Sequence, residues 1–538
     1  MATLFSSLRD RYFKLRALLK TFAEDKADLT AVDAHVNVNP GVPVPNPTTS
    51  FWLQKPPFPD LVDKQSNILP KAADIVIIGS GITGASVARL ILSECATMGI
   101  TRRVVILEAR QACSGATGRN GGHMKCSPHE SFSEYKERFG AERAKVLVNF
   151  QTSHLPVIVD LAKQEKWDIA EAREVETLDV YYDEERWNED VSRVDELRQG
   201  MPEEAKDTYV WSKEEARVKY KLGEHAFGAI TYQAGALWPY RLVTSVLDSL
   251  LKTYPSEFSL ETHTSVENVS VTGNPTRPFI VHTSRGDIVA SHVVHATNAH
   301  TSNLVPGLRG KLFPVRGTMS AQRPGKAFPK LNGSRSWSLI NKRGYEYITQ
   351  RPGEVDSVDG LGGEIMIGGG MVQSGRKGFG EFGVASDAET NYLGACHLSG
   401  VLPIGFGLEN WGEDAPGGRM KSFWSGSLGL TADMMPFVGR LEPSLTGRTP
   451  LQAALSKDAE TAVTPAEWVS AGYNGEGMVN AWLCGVALGL MILGREDVAT
   501  EKLPGRTHGK LYDWFPKEYL CTQARVTNAS VYQLLETR

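Results

Sequence analysis

Cysteine is scarce in this 538-residue chain: six residues (Cys95, Cys113, Cys126, Cys396, Cys484 and Cys521) at spacings that form no disulfide framework. They read as small buried hydrophobes in a reducing compartment. No apolar run is long enough to cross a bilayer. The nearest, residues 478–493, is interrupted by Asn480 and by glycines and reads as a buried helix. The net charge is −4, which provides no basic field to attract a nucleic acid. No internal repeat and no secretory signal is visible, so the sequons at Asn268, Asn332 and Asn528 carry no weight. The expectation is a soluble, cytoplasmic protein. The chain is too long for one compact core and long enough for two packed domains.

Two features of the N-terminal region stand out. Leu4, Leu8, Tyr12, Leu15, Leu19 and Phe22 recur at helical spacing, with Arg9, Arg11, Lys14, Arg16 and Lys20 on other faces. This amphipathic helix reads as docking on the body, against the alternative of an organellar transit peptide or a membrane-surface helix. Residues 35–70 are rich in Pro and Asn around Phe51-Trp52-Leu53 and read as an extended arm anchored by its aromatics.

The most informative stretch is Asp74-Ile-Val-Ile-Ile-Gly-Ser-Gly-Ile-Thr-Gly84, followed by Arg103-Val-Val-Ile-Leu-Glu108. It reads as strand, glycine turn, helix, second strand and acidic tip, which is the pyrophosphate-binding end of a Rossmann unit. Gly79, Gly81 and Gly84 allow the backbone to approach a phosphate, and the helix opening at Ile82 aims its first amides there. The Glu108 carboxylate can accept from ribose hydroxyls and would repel a 2′-phosphate. A second glycine cluster follows at Gly115, Gly118, Gly121 and Gly122, and a third at Gly472, Gly475 and Gly477 opens a helix. The second allows close approach along a long groove, and the third places a positive dipole at one end of it. Flavin is larger than nicotinamide and accumulates negative charge when reduced, so FAD is favoured over NAD.

These segments carry a family resemblance. Cys113-Ser-Gly-Ala-Thr-Gly-Arg-Asn-Gly-Gly-His123 resembles the flavin-binding segment of the D-amino acid oxidase, glycine oxidase and sarcosine oxidase superfamily, and its Gly-Arg-Asn-Gly-Gly version is most similar to the γ-glutamylputrescine oxidoreductase branch. His295-Ala-Thr-Asn-Ala-His300, Gly429-Leu-Thr-Ala-Asp-Met-Met-Pro-Phe-Val-Gly439 and Ser470-Ala-Gly-Tyr-Asn-Gly-Glu-Gly-Met478 resemble three further family segments. The resemblance implies that Gly79, Gly81, Ile82, Thr83, Gly84, Glu108, Ala109 and Arg110 line the ADP half of FAD. It implies that Ser114, Thr117, Gly118, Arg119, Asn120, Gly121 and Gly122 run towards the flavin ring, with His123 as a hydrogen-bonding residue beside it or a satisfied core histidine. Val266, Thr297, Gly475, Glu476, Gly477 and Met478 complete the implied site.

The departures from the family pattern narrow the chemistry. The stretch 423–430 lacks the cysteine that tethers flavin in sarcosine oxidases, and Arg119 stands near the position of a tethering histidine in dimethylglycine dehydrogenases, which implies non-covalent FAD; His123 and Cys396 remain as outside tethers. Leu428 stands where amino-acid oxidases place a carboxylate-clamping arginine, and Arg351 or Arg316 are the substitutes on offer. Met366 stands where some relatives carry an oxygen-activating lysine, so oxidase and dehydrogenase both stay open. The implied activity is oxidation of the C–N bond of an amine or amino-acid-like substrate by hydride transfer to the flavin, giving an imine, with oxygen or another compound as electron acceptor. A flavin enzyme tailoring a cyclic amine, or a non-catalytic flavin-binding module, are the competing readings. Candidates for the substrate pocket are Tyr345 and Tyr347, which alternate on one strand, together with Arg351, Trp424 and Asn474; Met434 and Tyr473 are further candidates for apolar walls. Each has a plainer reading as packing or as a solvated charge. His123, Cys126 and His129 have metal-like spacing, but they directly follow a flavin loop without an obvious fourth ligand, so no metal is expected.

The expected fold is α/β: a discontinuous Rossmann-type FAD-binding domain (71–130, 225–310 and 420–500) with an inserted antiparallel-sheet (α+β) substrate domain (131–224 and 311–419). An N-terminal helix and arm (1–70) and a C-terminal extension (501–538) flank it. Within this plan, residues 134–150, 213–220 and 388–397 read as helical, and residues 262–271, 279–283, 288–296, 315–321, 345–350 and 364–367 read as strands. Residues 352–363 read as a loop.

Overall fold

The computed structural model describes residues 26–354, 361–451, 463–501 and 503–536. The amphipathic pattern over residues 4–22 and part of the loop at 352–363 lie outside them. β1 (Ala72–Ile78), α1 (Ile82–Met98) and β2 (Val104–Leu107) follow the glycine motif. Ile75, Val76, Ile77 and Ile78 run without polar alternation because both faces of β1 are covered. β1 lies parallel to β2 on one side and to strand Gly286–His295 on the other. Strands Phe258–Glu261 and Glu467–Ala471 extend this parallel core outwards. Antiparallel strands Val266–Val271, Phe279–Thr283 and Phe437–Arg440 complete an eight-stranded sheet. The parallel core strands all end at one edge, where a doubly wound sheet binds its ligand. Helix Ala481–Ile492, the apolar run of the sequence, is buried along its whole length and packs on α1. Among the described residues no helix is long and apolar enough to cross a membrane.

A second sheet of nine strands stands over that edge. Its order is Met420–Thr431, Leu312–Gln322, Ile365–Gly369, Tyr345–Gln350, Arg335–Ile340, Arg173–Tyr181, Gly228–Ala236 and His123–Met124, with Tyr209–Ser212 also on Gly228–Ala236. The pairing is antiparallel except between Arg335–Ile340 and Arg173–Tyr181. Leu178, Val180, Trp337, Leu339, Ile348 and Ile367 project from one face into a core shared with helix Tyr392–Phe406. The alternating residues Asp179, Ser336, Ser338 and Tyr347 occupy the other face.

The domain boundaries differ from the expected ones. His123–Met124, Gly228–Ala236 and Met420–Thr431 fall within the ranges expected for the cofactor domain, yet they are strands of the second sheet. Gly228–Ala236 pairs along its full length with Arg173–Tyr181, and Met420–Thr431 runs along all of Leu312–Gln322. A local pattern identifies a strand but not the partner that satisfies its backbone. The helix expected over 134–150 divides at Gly140, whose φ of +82° separates Pro128–Phe139 from Ala141–Thr152. The helix expected at 388–397 starts later, at Tyr392, because Asn391 caps it by accepting from the Leu393 and Gly394 amides. The C-terminal extension docks on the body, inserting Leu511, Phe515 and Tyr519 into the main core.

Candidate active site

At the carboxyl end of β1, Gly79 has φ of +112°, and a Cβ there would lie 2.6 Å from the Ala296 carbonyl oxygen. A Cβ on Gly84 would lie 2.0 Å from the Gly79 carbonyl oxygen, so the turn closes only with glycine at both positions. Gly81 is the N-cap of α1 and carries no side chain to bond the first-turn amides. Thr117 Oγ1 accepts the Ile82 amide at 3.0 Å, which draws the second glycine cluster onto the helix N-terminus. Glu108 accepts from Ser80 Oγ at 2.6 Å and from the Arg110 amide at 3.0 Å, so its carboxylate is held in place before any ribose arrives.

The three glycine-rich segments converge on one cleft with about 1410 Å³ of empty space, its open mouth included. Its lining is shared by the first βαβ unit, the second glycine cluster and the third, an arrangement that suits an elongated dinucleotide. Of the implied cofactor residues, Gly79, Gly81, Ile82, Thr83, Glu108, Ala109, Arg110, Thr117, Asn120, Val266, Thr297, Gly475, Gly477 and Met478 line it. Ser427 also lines it, and its buried hydroxyl has no partner among the described residues. Glycine cradles, a helix N-terminus, a fixed acid at the second strand and an orphaned hydroxyl together fit FAD.

Gly84, Ser114, Gly118, Arg119, Gly121, Gly122, His123 and Glu476 do not line this cleft. Gly84 shapes the turn. Five consecutive carbonyls of the second cluster are each held from outside. Gly118 O accepts from Ser50 Oγ at 2.7 Å, Arg119 O from Trp424 Nε1 at 2.8 Å and Asn120 O from Trp52 Nε1 at 2.5 Å. Gly121 O accepts from Thr349 Oγ1 at 2.9 Å and Gly122 O from the Leu237 amide at 2.9 Å. Gly118, Gly121 and Gly122 thus shape the loop behind Asn120. The Ser114 carbonyl accepts from Arg119 Nε at 3.1 Å. Arg119 turns away from the pyrophosphate position, and burial pulls its pKa down to about 10 although Asp387 stands beside it at 3.1 Å. His123 Nε2 meets Ser336 Oγ at 2.9 Å, and burial followed by Lys125 lowers its pKa to about 3, so the imidazole is neutral.

The five pocket candidates also lie off this cleft. Tyr347 stands against the flavin loop: a Cβ on Gly121 would come within 2.5 Å of its ring. Tyr345 stays exposed, 6.4 Å from Tyr347 between ring centroids. Arg351 is not a free clamp, because it binds Glu364 at 2.7 Å and Glu171 through its other nitrogens, over the Trp238 ring. Trp424 is fully buried and supports the loop through Arg119 O rather than walling a pocket. Asn474 has its amide engaged with Thr431 and Gly472, joining the turns at 429–431 and 472–475. These pairings share one cause: polar groups shielded from water must find internal partners, and neighbouring elements supply them.

Sequence reasoning missed the contribution of the arm, where Gly41, Val42 and Pro43 line the cleft, and of Asp387, which ion-pairs with both Arg110 and Arg119. It also missed the buried pair of Lys125 with Asp179 on the polar face of the second sheet. No local signal links these distant segments. Glu476, between two cleft-lining glycines, accepts from Gln151 Nε2 at 2.9 Å. Protein atoms crowd its carboxyl although solvent still reaches the residue, and this burial, followed by the neighbouring Glu134 and Glu130, pushes its pKa up to about 7.

The family model for FAD-dependent oxidoreductases of the DAO type matches residues 74–489. A probable oxidoreductase, OrdL, of Haemophilus influenzae is 24% identical over 258 residues, covering 47% of this chain and 56% of the relative. The γ-glutamylputrescine oxidoreductase of Escherichia coli K12 is 25% identical over 244 residues, covering 45% of this chain and 53% of the relative. These matches span just over half the length of the curated relatives. Among solved structures, glycine oxidase from Geobacillus kaustophilus superposes with a TM-score of 0.59 at 17% identity, covering 84% of this chain and 99% of that one. L-proline dehydrogenase from P. horikoshii gives 0.57 at 20% identity, covering 87% and all of that chain. With the family match spanning both sheets and the glycine-lined cleft, the chain belongs to the DAO family of FAD-dependent oxidoreductases.

Proposed function

We propose that this chain oxidises the C–N bond of a cationic amine that lacks an α-carboxylate, with FAD held non-covalently. The charge inventory carries this reading. Both arginines on offer as carboxylate clamps are already paired, Arg351 with Glu171 and Glu364, and Arg316 with Glu381 at 2.7 Å. Leu428 lines the cleft where a family clamp would stand. Glu134 and Glu130 both act electrostatically on Glu476, in the third glycine turn, and this acidic surrounding favours a cation beside it over a carboxylate.

Bound FAD supplies a two-electron hydride acceptor. The Gly475 and Gly477 turn and the N-terminus of α1 would hold its polar portions, and Tyr347 packs on Gly121 of the flavin loop. Glu476, beside the cleft-lining Gly475 and Gly477, receives the ammonium of the arriving amine and takes its proton, so that the neutral amine is the form presented for the oxidation that bound FAD would supply. The imine and water then give a carbonyl product and release the nitrogen as ammonia or the shorter amine. Non-covalent binding is supported by the thiols near the loop: burial raises the Cys113 pKa well above its ordinary value and the Cys126 pKa to about 12, so neither offers a thiolate. The candidate tether His123 is neutral and hydrogen-bonded, and exposed Cys396 lies on helix Tyr392–Phe406, off the cleft.

The test is anaerobic mixing of the flavin-loaded protein with secondary amines, polyamine derivatives and α-amino acids, followed by admission of air. Amines bleach the visible flavin band and α-amino acids do not. kcat/KM rises as Glu476 ionises around pH 7, and Glu476→Gln abolishes that limb and raises KM for amines roughly tenfold, the equivalent of about 1.4 kcal/mol. Faster bleaching by α-amino acids, with a Glu476→Gln profile unaltered, refutes the reading.

A further inference from the structure

The family match begins at residue 74, yet residues of the N-terminal arm reach the cleft from two sides. We propose that this arm is a working part of the FAD site: residues 41–43 are a flap over the adenosine end, and residues 48–52 are a splint that holds the glycine-rich flavin loop from behind.

Gly41, Val42 and Pro43 line the cleft together with Glu108, Arg110 and Val266. The flap is tied at two carbonyls: Gly41 O meets His300 Nδ1 at 3.0 Å, and Val44 O accepts from Arg110 Nη1 at 3.2 Å. Val42 is 45% exposed, so the flap is lightly held and can lift. The splint is different. Phe51 and Trp52 are each 1% exposed, and the Trp52 and Trp238 rings meet edge to face at 5.3 Å. From this anchor Ser50 and Trp52 supply two of the five hydrogen bonds that orient the loop carbonyls.

Thr48, at the start of the splint, ties it to the cleft wall. Its amide and hydroxyl donate to Asp387 O at 2.7 and 2.9 Å, and the same hydroxyl accepts from Arg119 Nη1 at 3.1 Å and from the Ser425 amide at 2.9 Å. Asp387 in turn bridges Arg110, which lines the cleft, and Arg119, which lies within the loop. The arm, the cleft wall and the flavin loop therefore form one connected unit, so loosening the arm is expected to loosen the hold on FAD.

The test uses the full chain, deflavinated and titrated with FAD by quenching of flavin fluorescence, and with ADP by calorimetry. Val42→Gly/Pro43→Gly accelerates FAD release about tenfold and weakens ADP to a similar degree. Thr48→Val, nearly isosteric, accelerates FAD release by at least as much. Ser50→Ala weakens FAD while leaving ADP affinity unaltered, because it acts on the loop. Release of FAD within about twofold of the unaltered protein in both Val42→Gly/Pro43→Gly and Thr48→Val overturns the proposal. If Thr48→Val does not fold, the flap variant, altered at partly exposed positions, decides alone.

Discussion

Replacing Gly121 with alanine tests the steric logic of the site. Gly121 lies outside the left-handed region, so alanine meets no backbone penalty and the one obstacle is space. The added Cβ would sit 2.5 Å from Tyr347 Cε2 and 2.9 Å from Cδ2. The ring has little room to retreat. A Cβ on Gly368, behind it, would lie 2.3 Å from the Tyr347 hydroxyl, and that hydroxyl donates to Met319 Sδ at 3.1 Å. The loop cannot yield cheaply either, because the carbonyls of residues 118–122 are all engaged. Overpacking of this kind costs about 1–3 kcal/mol. Expressed at the flavin loop, it lowers FAD affinity roughly tenfold to a hundredfold, read by titration of the deflavinated protein with FAD. Tyr347→Leu in the same chain removes the ring and restores most of the loss, giving a coupling energy of about 1–2 kcal/mol in the double-mutant cycle. Ordinary FAD affinity in Gly121→Ala, or no rescue by Tyr347→Leu, refutes the packing argument.

Two further substitutions examine buried charge. Burial alone would raise the pKa of Glu467, but hydrogen bonds from His295 Nε2 at 2.8 Å and Arg448 at 2.6 and 2.7 Å overcome it and hold the group at about 2. The folded value lies below the ordinary 4.5, so this stabilisation is present above pH 4.5 and is lost as pH falls towards 2. Denaturant unfolding of Glu467→Gln should show about 3–5 kcal/mol less stability at neutral pH and a shallower decline on acidification; parallel curves for the two proteins would exclude the assignment. Asp387→Asn leaves the buried guanidiniums of Arg110 and Arg119 without their shared carboxylate. A loss of about 3–5 kcal/mol follows, read as a lower Tm, and an unchanged melt would show that the triad does not couple the arm to the cleft wall.

What the sequence determined by itself is the fold class, the cofactor and the first βαβ turn. The motif around Gly79, Gly81, Gly84 and Glu108 is local: its geometry depends on backbone space and helix polarity within one βαβ unit, and those requirements leave their mark on adjacent residues. The second and third glycine clusters were legible for the same reason. Tertiary structure decided what the polar side chains do. Arg351 read as a clamp and is buried between Glu171 and Glu364, Trp424 read as a pocket wall and supports a carbonyl, and Asn474 read as a substrate contact and joins two turns. It also decided which sheet Gly228–Ala236 and Met420–Thr431 join, and that an arm more than 20 residues before β1 reaches the cleft. A hydrogen-bonding or charged group can be satisfied by any partner the fold brings near, however distant in the chain, so its role is set by proximity rather than by spacing.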